Sequence, residues 1–174
     1  MKAKVAIAVG VLSTVALCAI VFDQIVLERR LLPRENITVT EASEEAGHFT
    51  GSLRQAAIDE HNAPTDKLFE EYGIRSFTAF ERNHALVVRL KELDPSFRAE
   101  QMGVSMLNSV AEINGRKLLL LKGCAPHNCA ATMNIVAFEP STTAVFLLKS
   151  NGSLLQFFGS PDSSVRPAML SAAF

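Results

Sequence analysis

Residues 107–122 read LNSVAEINGRKLLLLK. Two apolar-rich runs flank Asn114-Gly115. That dipeptide is the strongest short hairpin signal, because a type I′ turn needs positive φ at both central positions. Leu107–Ile113 and Lys117–Lys122 are therefore predicted to pair as antiparallel strands. The pattern recurs downstream, where Ala144–Lys149 and Leu154–Phe158 flank Asn151-Gly152, and the same turn chemistry is predicted. Met133–Phe138 supplies a strand between the two hairpins. The count is about five antiparallel strands with short connections. Four consecutive leucines, Leu118–Leu121, read as a buried central strand rather than a partner surface.

Working upstream, the period changes from strand to helix. Ser52–His61 is predicted as a short helix capped by Ser52, and Thr65–Tyr72 as another ended by Gly73. Phe77–Leu93 carries apolar residues at helical spacing and is stopped by Asp94-Pro95. Downstream, Ser164 is predicted to cap a last short helix with Pro167 in its first turn. Helices followed by a meander predict an α+β domain: an antiparallel sheet of about five strands flanked by helices, which pack against one of its faces.

The chain has 174 residues, enough for one ordinary domain with a real core. Hydrophobic residues make up 48%, which excludes disorder for most of the chain. Much of the excess is one uncharged run of 18 residues, Val5–Phe22, preceded by Lys2 and Lys4. A helix of that length spans about 27 Å, close to the hydrocarbon thickness of a bilayer. Residues 1–30 are thus predicted as a signal peptide or an uncleaved inner-membrane anchor, with the rest exported to a bacterial periplasm. No second run of that length exists, so a polytopic membrane protein is excluded. Residues 31–51, polar and acidic, read as a linker, which leaves 52–174 as the domain. Lys+Arg is 17 against Asp+Glu 18; removing residues 1–30, with four basic and two acidic, leaves 13 against 16, a net of −3. That balance argues against a nucleic-acid partner.

Three cysteines are present. Cys18 lies in the apolar run, and Cys124 and Cys129 remain as an even pair. In an exported protein such a pair reads as a local disulfide. It would close the loop Gly123-Cys124-Ala125-Pro126-His127-Asn128-Cys129. The loop-entropy estimate for so small a ring is only about 2 kcal/mol, so the gain is shape more than global stability. Bridge and proline together freeze the backbone and hold His127 near the tip, and a frozen loop loses little entropy on docking. Two other readings of the same residues remain open at this point. Cys124, His127 and Cys129 offer three metal ligands, short of the four a structural zinc takes. The C-x4-C spacing is also not the C-x-x-C of thiol exchange.

The heptapeptide, in its place after an Asn-Gly hairpin and before a strand, resembles the C-x-P-H-[DN]-C loop of the inhibitor of vertebrate lysozyme (Ivy) family. The resemblance covers roughly residues 100–174, and residues 65–99 more loosely. It implies a periplasmic inhibitor of c-type lysozyme, a non-enzyme without cofactor or metal, whose loop (Cys124, Ala125, Pro126, His127, Asn128, Cys129) enters the lysozyme cleft with His127 foremost. Two positions depart from the common pattern: Ala125 stands where a charged residue is frequent, and Asn128 where some members carry Asp. The alternative is a membrane-tethered envelope module that kept the scaffold without inhibiting lysozyme. Hydrolase signatures such as G-x-S-x-G and H-E-x-x-H do not occur. His48, His61 and His84 have no matched acid or nucleophile spacing.

Overall fold

A computed structural model describes residues 34–56, 66–129 and 131–173. The apolar run Val5–Phe22, with the signal or anchor expected there, lies outside them. Among the described residues no helix is long and apolar enough to cross a membrane.

Eight strands form one antiparallel sheet: β1 (Arg34–Thr38), β2 (Ser52–Gln55), β3 (Val104–Ser105), β4 (Ser109–Ile113), β5 (Arg116–Cys124), β6 (Asn134–Glu139), β7 (Ala144–Asn151) and β8 (Leu154–Phe158). Their order across the sheet is β1-β8-β7-β6-β5-β4-β2, and β3 pairs the far end of β5. The five predicted strands are β4 to β8, the middle of this path. The expected count falls short because β1, β2 and β3 are two to five residues long and mostly exposed, so they leave little apolar alternation to read. Asn114 and Gly115 have φ of 52° and 77°, the two positive angles of a type I′ turn. The second hairpin differs. Asn151 pairs with Leu154, so the turn residues are Gly152 and Ser153, and only Gly152 has positive φ, at 62°. That is the pattern of a type II′ turn, with glycine first.

Among the described residues there are also five helices: α1 (Val39–Ala46), α2 (Lys67–Tyr72), α3 (Ser76–Arg82), α4 (His84–Leu93) and α5 (Val165–Ala173), with a turn of 3-10 helix at Ala99–Met102. They cover both faces of the sheet, not one. Leu119, Leu121, Val136, Phe138 and Leu147 face a core that includes Phe69, Phe80, Leu86 and Leu90 of α2–α4. Leu118, Leu120, Ile135, Ala137 and Leu148 face a second core with Ala42 of α1 and Val165, Met169 and Leu170 of α5. Two-sided burial is what the unbroken leucine run encodes: each successive side chain points into a different core. All six residues of β6 are buried.

Several local expectations shift. Residues 34–46, read as linker, form β1 against β8 and α1, whose Thr38 and Glu41 make a reciprocal capping box. Ser52–Gln55, read as the start of a helix, is a strand paired with Ser109–Glu112. Pairing with a sheet edge outweighs local helical spacing there; residues 57–65, with the remainder of that predicted helix, lie outside the described part. The helix expected over 77–93 is broken at Asn83, whose side chain accepts the Leu86 N–H and starts α4. The last helix is capped by Asp162, which accepts from the Ser164 and Val165 N–H groups, rather than by Ser164. The strand expected from Leu107 begins at Ser109. Asn108 is fully buried there, its amide donating to Gly73 O and accepting from Ser76 Oγ. This knot separates β3 from β4 and holds the turn before α3 against the sheet.

Candidate functional site

The loop grows directly from the end of β5. Gly123 sits where a Cβ would come within 3.1 Å of both Met102 Cα and the Val104 carbonyl, so a larger residue would have to push β5 and the 3-10 turn apart. Cys124 follows, fully buried and paired with Val104 of β3. It is joined to Cys129 by a disulfide across a Cα separation of 5.0 Å, ordinary for such a bridge. With both sulfurs in the bridge, neither cysteine is available as a thiolate for metal or for exchange. Among the described residues no group of His, Cys, Asp or Glu is placed to hold a metal ion.

Inside the ring, the Asn128 N–H donates to the Ala125 carbonyl at 3.1 Å and closes a four-residue turn. Pro126 occupies its second position, where a ring-fixed φ fits. His127 occupies the third at a φ of 63°. A positive φ at the third position is the mark of a type II turn, and glycine or asparagine normally fills it. A histidine there costs on the order of 1 kcal/mol of backbone strain. The turn sets the angle, and Pro126, His127 and Asn128 are all exposed on it.

The loop is braced on both limbs. On the outgoing side the Pro126 ring lies against Gly103 at the end of the 3-10 turn, where a Cβ would sit 3.2 Å from Pro126 Cγ. On the return side the Asn128 carbonyl accepts from Ala131 N, Thr132 N and Thr132 Oγ1 at 2.9–3.1 Å. Ala131 in turn accepts from Gly152 N at 2.9 Å, and Met133 from Ser150 N at 2.7 Å. The β7–β8 hairpin therefore holds the foot of the loop. No charged side chain lies in the loop itself. Lys122 on its stem has its ammonium pushed below the ordinary lysine range by burial. Beneath the 3-10 turn Lys149 pairs with Asp94 at 2.9 Å. Burial pushes the Asp94 carboxyl up, but hydrogen bonds from Ser96 and Lys149 outweigh it and hold the group below its usual value.

The six loop residues singled out from the sequence are thus one structural unit. The braces Met102, Gly103, Ala131 and Gly152 were not singled out, and of these only Gly152 had a sequence signal, as a turn residue.

A family model matches the part of the chain that carries this loop. Residues 90–174 match the inhibitor of vertebrate lysozyme (Ivy) family. Over those residues the chain is similar to the Ivy family. No curated protein and no solved structure matches the chain. The Ivy segment begins inside α4 and takes in β3 to β8, the disulfide loop and α5. The strands β1 and β2 and the helices α1 to α3 lie before it. Ivy proteins are inhibitors rather than enzymes, and they work in the periplasm on lysozyme.

Proposed function

We propose that this protein inhibits c-type lysozyme by inserting the Cys124–Cys129 loop into the active-site cleft, with His127 at the tip. One observation carries the reading. His127 is held at positive φ on the exposed apex of a disulfide-closed turn, at the end of a strand in the Ivy segment. A histidine presented this way on an exposed tip is placed to contact another molecule.

The chemistry fits the target. A retaining glycosidase holds two carboxyl groups roughly 5 Å apart, one as acid and one as nucleophile. An imidazole has two ring nitrogens that can bond both at once, and its bulk occupies the space of the sugar. The braced loop pays little ordering entropy on insertion. The net charge of −3 outside residues 1–30 assists approach to a basic lysozyme. Ala125 and Asn128 place no charge beside the tip, and Asn128 keeps a carboxamide that can hydrogen-bond beside His127. Export to the periplasm, by a cleaved signal or with an inner-membrane anchor, would bring the loop to its target.

The test is a cell-wall lysis assay with a c-type lysozyme and the full chain, beside His127→Ala. Native protein is expected to inhibit at micromolar concentration, and the variant to lose at least tenfold. Absence of inhibition by the native chain would leave the tethered-module reading instead. Equal inhibition by both would remove His127 from the mechanism.

A further inference from the structure

A cross-strand row of polar residues runs beside the loop. Asn36 on β1 pairs with Gln156 on β8, Gln156 with Lys149 on β7, and Lys149 with Asn134 on β6. Asn134 then pairs with Gly123, the residue before Cys124. The row lies on the face that carries Val145, Leu147, Val136 and Phe138 into the core with α2–α4, but no residue of those helices lines the space above it. The space is a cleft of about 540 Å³, walled by Gln101 of the 3-10 turn and by Ala125 and Thr132 of the loop.

The cleft is rich in carboxamides and presents no net charge. Its one cation, Lys149, is balanced by Asp94 at 2.9 Å. Gln156 Nε2 donates to Asn36 Oδ1 at 2.9 Å, which leaves Asn36 Nδ2 and Gln156 Oε1 without a side-chain partner among the described residues. A pair that offers one free donor and one free acceptor suits a neutral hydrogen-bonding surface, such as the main chain and polar side chains of a protein loop. Two further facts point to a protein. First, a stable inhibitor interface takes roughly 20–30 residues a side, and the loop tip exposes three. Inserting the tip must press the flank of the loop against the rim of the target. Second, Ala125 belongs to both the loop and the cleft wall, and the hydrogen bonds from Gly152 to Ala131 and Ser150 to Met133 tie loop and floor into one rigid piece.

We infer that the polar cleft over Asn36, Gln156 and Asn134 is the second half of the inhibitory surface and receives the rim of the lysozyme cleft while the loop fills its centre. The inference rests on the proposed lysozyme inhibition. It is tested with the full chain and two cleft variants, Gln156→Ala and Gln156→Trp, beside His127→Ala. Inhibition constants and surface-binding kinetics are measured with a c-type lysozyme, and thermal melts confirm the fold. Gln156→Trp fills the cleft. It is expected to raise the inhibition constant at least tenfold, mainly through faster dissociation, and Gln156→Ala about threefold. If Gln156→Trp inhibits as well as native while His127→Ala does not, the cleft is no part of the interface and the loop mechanism stands alone. If an N-acetylglucosamine trimer binds the native protein and Gln156→Trp abolishes that binding with inhibition intact, the cleft is a glycan site and the inference is overturned. Failure of the native chain to inhibit removes the loop mechanism and this inference together.

Discussion

At His127 the requirements of the backbone and of function point in opposite directions, and a pair of substitutions separates them. His127→Ala keeps a Cβ at positive φ and removes the imidazole. His127→Gly removes the imidazole and relieves the strain, by about 1 kcal/mol. Both are expected to lose inhibition, with Gly melting at or above the native temperature and Ala no higher than native. A glycine variant that still inhibits would show that the loop acts by bulk alone. Gly123 presents the reverse case, a residue defined by what it lacks. Gly123→Ala brings a methyl to 3.1 Å from Met102 Cα and the Val104 carbonyl, a tight contact with the backbone of residues 102–104. It is expected to cost about 1–3 kcal/mol in urea unfolding and to weaken inhibition, because the loop root moves. The loop was legible because its chemistry sits in seven consecutive residues. The braces were not, because Gly103 meets Pro126 across a sequence gap that no local pattern spans.

Among the elements, those that were legible are those whose own residues force them. Asn114-Gly115 fixes a hairpin by φ alone, and the leucine run fixes a strand by its apolarity. β2 and α1 were misread because their stability is tertiary. Ser52-Leu53-Arg54-Gln55 has no alternation and becomes a strand only because β4 offers an edge. α1 is polar along most of its length and buries only Ala42. It is clasped to α5 by Arg166, whose guanidinium donates two hydrogen bonds to Glu45 at 2.8 and 3.0 Å. The same group bonds Glu35 of β1 and lies 4.6 Å over the Phe157 ring. Arg166 is 17% exposed at its side chain, so the clasp is better shielded than a surface ion pair. Arg166→Ala is expected to cost roughly 1–3 kcal/mol by urea denaturation. Inhibition at 25 °C is expected to persist, since the clasp holds the β1 edge and α5 rather than the loop. Lost inhibition in a folded variant would show that the β1 edge positions the cleft.

On the scale of the whole molecule, the sheet of the segment similar to the Ivy family is extended at both edges. β4 to β8 belong to the Ivy segment, and β1 and β2 close the two open edges from sequence that precedes it. What holds these parts together includes carboxylates that must stay ionised. Glu139 takes two bonds from Arg116 and one from Thr142 Oγ1, and these outweigh its burial and lower its carboxyl below 4.5. Asp66 and Asp94 are pushed up by burial, yet their hydrogen bonds and cations hold both below 3.8. Asp162 is lowered in the same way by bonds from Ser164, Arg116 and Val165. A carboxyl that is more acidic in the folded state than in the unfolded chain adds stability above its unfolded value, and that stability drains away as pH falls through the folded one. Unfolding free energy is therefore expected to be level between about pH 5 and 8 and to fall below about pH 4. Arg116→Gln assigns part of this loss. Glu139 is 4% exposed and Arg116 37%, so removing the cation leaves a buried carboxylate short of partners while solvent screens part of the cost. At pH 7 the variant is expected to be less stable by roughly 1–3 kcal/mol. As Glu139 is protonated Arg116 loses the buried anion it serves, so the gap between the two stability curves narrows as pH falls below about 4. A gap that stays constant from pH 7 down to pH 2 would show that Arg116 acts by packing and not by charge.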